Sequence, residues 1–164
     1  MSPEFEQHLR EKYPKLFSGR CDLSIEDGWF DLVNQLCDGI QSHIDVVEKN
    51  RQWNIGWNKR VNDPEYDWKE NQFIDREERK VDDPLEQVII TQIKEKFGTL
   101  RFYYGGGDLY IRGLVAMAES MSSVLCEKCG NPGHRYDNKK WVRILCDFHA
   151  EKMGYVDDEF TSIN

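Results

Sequence analysis

Two short stretches near the end of this 164-residue chain carry the residue types that bind a metal. Cys126-Glu127-Lys128-Cys129-Gly130 and Cys146-Asp147-Phe148-His149 each set two donors across a two-residue gap, and 16 residues separate the pairs. Such a gap lets both side chains reach one ion while the intervening backbone N–H groups point at the thiolates. Zn²⁺ takes four nitrogen and sulfur donors in a tetrahedron, and a site filled entirely by protein is structural, with no position left for an activated water. Cys126, Cys129, Cys146 and His149 are therefore expected to hold a structural Zn²⁺. His134 competes as a donor, but its place outside the paired pattern makes it a loop histidine. Cys21 and Cys37 stand apart and read as buried thiols.

The elements around these donors can be read from the same residues. Gly130-Asn131-Pro132-Gly133 turns the chain, Trp141 to Leu145 reads as a strand leading into Cys146, and Asp147 to Met153 as a short helix. A knuckle, hairpin and helix in that order suggest a treble-clef-like or zinc-ribbon-like module over residues 124–155, followed by an acidic tail at 156–164.

Upstream the pattern is α+β, with amphipathic helices packed on a small β-hairpin or sheet. Ser2-Pro3-Glu4 starts a helix that Pro14 stops. Trp29, Val33, Leu36, Cys37, Ile40, Ile44 and Val47 form one helical stripe, with Ser24 and Asp27 spaced as a capping box. Residues 1–50 thus read as the helical part of the main domain. Residues 85–123 complete it: Val88 to Ile93 and Leu100 to Tyr104 as strands, although 87–96 could also be helical, then Asp108 capping a helix with Ile111, Leu114, Val115, Ala118 and Met121 inward. Gly105-Gly106-Gly107 between strand and helix lacks the lysine and hydroxyl of a phosphate loop, and reads as a turn.

Between them, residues 51–84 are dense in charge and keep no period, yet hold Trp53, Trp57 and Trp68. Disordered segments lack aromatics, so this stretch reads as an insertion or flap. Its tryptophans either tuck back onto the core or serve as partner-binding anchors.

A net charge of −8 and a pI near 5.0 argue against a general nucleic-acid coat or an anionic-membrane binder. The charge is uneven. Residues 126–155 hold six basic against four acidic side chains, a surplus of two, which leaves −10 for the rest. Lys139, Lys140, Trp141 and Arg143 could therefore meet a nucleic-acid backbone locally. No stretch has the length of a membrane span or the order of a signal peptide, so a soluble intracellular protein is expected. No nucleophile, acid and base assemble into a catalytic motif.

The sequence resembles a family of small proteins encoded by bacteriophages and prophages. The resemblance rests on Tyr13-Pro14 with Phe17-Ser18-Gly19-Arg20, on Asp27-Gly28-Trp29-Phe30, and on the run from Gln92 to Tyr103 that contains Lys94-Glu95-Lys96-Phe97-Gly98. It continues through Gly106-Gly107-Asp108, Met117 to Ser122, Cys126 to Gly133 and Leu145 to His149, and it skips residues 51–84. It implies a phage accessory gene with a metal-binding tail. Together with the acidic body it points to a non-enzymatic protein in the cytoplasm of the infected bacterium that binds a host protein or complex, such as an inhibitor of a bacterial immune system. Acidic surfaces can occupy sites built for nucleic acid. The alternative is a nucleic-acid-binding regulator that uses the zinc hairpin.

Overall fold

The computed structural model describes residues 1–68, 76–137 and 140–155, and the architecture is α+β. Lys139 and the acidic tail at 156–164 lie outside the described residues. Helix α1, Pro3–Lys12, has Pro3 in its first turn, Glu4 and Glu6 near its positive end, and Arg10 and Lys12 near its negative end. The Ser2 hydroxyl makes no cap bond; the Ser2 backbone N–H instead donates to Asp27 Oδ1 at 2.6 Å.

Strand β1, Asp22–Ser24, pairs in parallel with β2, Ile89–Lys96, and β2 pairs antiparallel with β3, Thr99–Gly105. The expected capping box does not form. Ser24 belongs to β1 and its hydroxyl turns to the Asp22 carboxylate, so helix α2 starts instead from a 3-10 turn over Asp27–Trp29. The stretch that could also be helical, residues 87–96, is a strand for most of its length, because Ile90 and Ile93 must face the core beside Leu100 and Phe102. Helix α3, Leu109–Met121, covers β3, with Ile111, Val115 and Ala118 inward; Met121, at its last turn, points to solvent. The Asp108 cap forms as expected, accepting the Ile111 N–H at 3.0 Å, and its other oxygen pairs with His43 Nε2 at 2.9 Å.

The largest departure from the sequence reading is the length of α2, Phe30–Val61. Its 32 residues span about 48 Å at 1.5 Å per residue. The apolar stripe expected from Trp29 to Val47 covers only the half that meets the core. Beyond it the helix continues through Trp53 and Trp57 against an extended strap, residues 76–82, which offers main-chain carbonyls in place of apolar side chains. Trp57 Nε1 donates to Glu77 O at 2.9 Å, Asn54 Nδ2 to Lys80 O at 3.0 Å, and Arg51 Nε to Asp82 O at 3.2 Å. Asn58 both donates to Arg79 O and accepts from the Arg79 N–H, each at 2.8 Å, much as a neighbouring strand would. Helical periodicity is lost there because the partner surface is polar backbone.

This placement divides the three tryptophans. Trp57 is buried, with the Arg79 guanidinium 4.5 Å above its ring, and Trp68 is half-buried with its ring edge-on to Trp57 at 5.7 Å. Trp57 is thus used inside the molecule, and Trp53 is the ring left 57% exposed, beneath the Arg60 guanidinium. Asn58→Ala removes both bonds to Arg79 and is expected to lower stability by about 1 kcal/mol. The Arg79 amide should then exchange with solvent much faster, while amides of β2 and β3 keep their protection, as hydrogen exchange can measure.

Candidate metal centre

The C-terminal module draws its four donors from two short pieces, two from each. Residues 126–129 form the first loop, closed by Gly130 N–H donating to Cys126 O at 2.8 Å and by Cys126 N–H donating to Asn131 O at 2.7 Å. Gly130 has φ +76°, a left-handed position that glycine takes at little cost. Strand β4, His134–Tyr136, pairs antiparallel with β5, Arg143–Leu145, and β5 feeds Cys146 directly into helix α4, Asp147–Lys152. Cys146 occupies the N-cap and His149 the first turn, so the two donors share one face of the helix start.

The four ligand atoms of Cys126, Cys129, Cys146 and His149 all lie within 4.8 Å of one another. The Cys129 and Cys146 sulfurs are 3.8 Å apart, and His149 Nδ1 is 3.5 Å from Cys126 Sγ and 3.3 Å from Cys146 Sγ. An ion bound tetrahedrally at about 2.3 Å to sulfur and about 2.0 Å to nitrogen would set sulfur–sulfur edges near 3.8 Å and sulfur–nitrogen edges near 3.5 Å. These spacings are compatible with a metal site, and His149 presents the nitrogen. His134 lies on β4 opposite Leu145, exposed and outside the cluster.

The thiols do not hold their protons equally. Crowding by protein and by the neighbouring thiols pushes Cys129 up to about 11. For Cys146 desolvation acts upward too, but it is outweighed by the His149 backbone N–H and by the Cys129 and Cys126 thiols, which draw its pKa below the ordinary value. The two remote thiols behave differently. Burial raises Cys21 to about 11 and Cys37 still further, as expected of core sulfurs with no role as nucleophiles.

The sequence reading missed how the centre is fastened to the body. The 3-10 turn at Asp27–Trp29 presses against the Cys126–Cys129 loop. Gly28 N–H donates to Glu127 O at 2.9 Å, and Trp29 Nε1, from a ring with no exposed surface, donates to Leu125 O at 3.0 Å. A Cβ on Gly28 would overlap the Cys126 carbonyl oxygen and the Cys129 nitrogen, and one on Gly130 would stand 2.8 Å from Gly28 O. Two glycines therefore allow backbone to meet backbone. In the sequence Asp27-Gly28-Trp29 carries no hint of its distant partner. Around this contact Lys128 pairs with Glu26 at 2.7 Å, and Arg143 pairs with the buried Glu127.

Arg143 is therefore committed to ion pairs within the fold, with Glu127 and, at 4.0 Å, Glu26, which removes it from the residues free to meet a phosphate. Trp141 and Lys140 remain exposed. Gly28→Ala should destabilise the protein by about 3 kcal/mol, the upper end for overpacking, since neither neighbouring backbone can retreat without opening the knuckle. Urea unfolding would measure the loss, and the indole N–H resonance of Trp29 should shift as its bond to Leu125 loosens. Comparison with protein-family models, with curated proteins and with solved structures finds no match to this chain.

Proposed function

We propose that this chain is a non-enzymatic binding protein of the phage accessory kind its sequence resembles, held in shape by a structural Zn²⁺, and acting on a host macromolecule such as a component of a bacterial immune system. The observation that carries the reading is the closed donor set: three thiols and one imidazole from the protein account for all four corners of a tetrahedron. Three sulfurs with one nitrogen suit Zn²⁺, and a filled shell supplies rigidity in place of an activated water. Knuckle, β4–β5 hairpin and α4 follow one another as in a treble clef, and the body they are bolted to is acidic.

Among the three tryptophans of the charged segment, Trp53 is the one whose ring meets solvent broadly. It sits on the outer part of α2, beyond the core, where a partner can approach it. No helix among the described residues is long and apolar enough to cross a membrane. A second reading, nucleic-acid binding by the hairpin of the metal module, is supported by Lys140 and Trp141, which are exposed.

Purified protein should carry one zinc per chain by elemental analysis. Structural zinc contributes directly to folding free energy, so Cys146→Ser should release the ion and expose amides over residues 126–155 to exchange. A metal-free protein with the module intact would contradict the role given to zinc. For the partner, affinity capture from lysate of a susceptible host should recover a saturable complex that weakens at least fivefold with Trp53→Ala, since truncating an aromatic anchor commonly removes more than 1 kcal/mol. Equal capture by the variant would discard Trp53 as the contact.

A further inference from the structure

The β2–β3 hairpin turns on Phe97 and Gly98, with Lys96 paired to Thr99 on either side. Both turn residues have positive φ, 55° at Phe97 and 78° at Gly98, the signature of a type I′ turn. That geometry favours asparagine, aspartate or glycine at the first position, and a bulky aromatic held there is strained. The Phe97 ring is also 66% exposed, so no burial compensates for the strain. Neither the turn nor the core accounts for a phenylalanine at this place.

The second hairpin stands alongside. A groove of about 530 Å³ runs between them, lined by Lys94, Lys96 and Lys140, by the Phe97 and Trp141 rings, and by one acid, Glu95. That acid is already engaged. Its Oε1 accepts the Gly98 N–H at 2.6 Å and its Oε2 accepts Trp141 Nε1–H at 3.2 Å, so a single carboxylate ties the strained turn to the indole across the groove. Arg135 adds a bond to Phe97 O at 3.5 Å. A Cβ on Gly98 would stand 3.2 Å from Val142 Cγ1, so the hairpins touch at the base of the groove. Trp141 is 60% exposed, and Lys96 Nζ lies 5.5 Å from the Phe97 ring centre.

Two exposed rings, one of them held by a carboxylate, beside three cations match a chain that alternates flat bases with phosphates. We propose that this groove binds single-stranded nucleic acid, with Phe97 and Trp141 stacking bases and Lys94, Lys96 and Lys140 meeting the backbone. A duplex hides its base faces from such rings. An acidic peptide would use the lysines and leave the rings without a role. The acidic remainder of the molecule repels phosphate beyond the groove, so the site is short. The inference deepens the second reading above, naming a single strand as the ligand and adding Phe97, Lys94 and Lys96 to Lys140 and Trp141, and it needs no host protein.

The zinc-loaded full chain should shift the fluorescence anisotropy of labelled oligo-dT and oligo-rU of about 12 nucleotides. With three lysine contacts, log affinity should fall against log salt with a slope of about −2. Phe97→Asn separates contact from folding: asparagine suits the turn, so the melting temperature should hold or rise while affinity falls about fivefold or more. Trp141→Ala should weaken binding by a similar factor. The proposal is overturned by absence of binding at low salt, by unchanged affinity in both ring variants, by a duplex bound as tightly as a single strand, or by polyglutamate competing as well as oligonucleotide. Retained host capture without oligonucleotide binding would sink this inference and leave the proposed function standing.

Discussion

Much of this architecture depends on one close contact between backbones, where Gly28 meets the Cys126–Cys129 knuckle. Every side chain other than hydrogen would hold these segments apart. With glycine in place, the C-terminal module can hydrogen-bond directly to the turn that launches the longest helix. Trp29, Glu26 and Arg143 then fall into register around that point, each with a partner on the opposite side. The donor cluster and the helical body thereby become a single object. A loosely tethered C-terminal module would have left Trp141 free to wander relative to the sheet; here one carboxylate of β2 can hold its indole.

The same economy of contacts recurs in the strap beside α2. There is too little apolar surface on the outer half of that helix to bury a conventional partner element. Side-chain amides, an indole and a guanidinium instead satisfy the carbonyls of an extended segment. Such contacts are individually weak and partly open to water. The outer half of α2 should therefore open more readily than the core half, which is packed through Val33, Leu36, Cys37, Ile40 and Ile44.

What could be read from the sequence follows from how far apart the interacting residues lie. The clustering of Cys126, Cys129, Cys146 and His149 was legible because each half of the cluster is four residues long and its spacing is local. Asp108 was legible as a cap for the same reason. The capping role assigned to Ser24 failed because a strand pairing with residues near 93 claimed it, and local propensity contains no record of that pairing. The end of α2 was hidden because the hydrophobic period stops where a polar strap takes over. Phe97 lies between two strand runs with nothing local to mark it, because its backbone angle and its exposure belong to the folded hairpin. Arg143 looked like a free cation until Glu127 was found beside it.

The indole of Trp29 has its acceptor at Leu125, 96 residues further along the chain. Synthesis runs from the amino end, so the first helices and β1 emerge long before the residues that complete them. Throughout that interval a large apolar ring and the bare backbone of Gly28 wait without their partners, and β1 waits for β2. Closing a loop of this length is slow compared with forming a helix. The seat of Trp29 and Gly28 is therefore completed late, by carbonyls of Leu125 and Glu127 at the start of the same knuckle that gathers the Cys/His cluster.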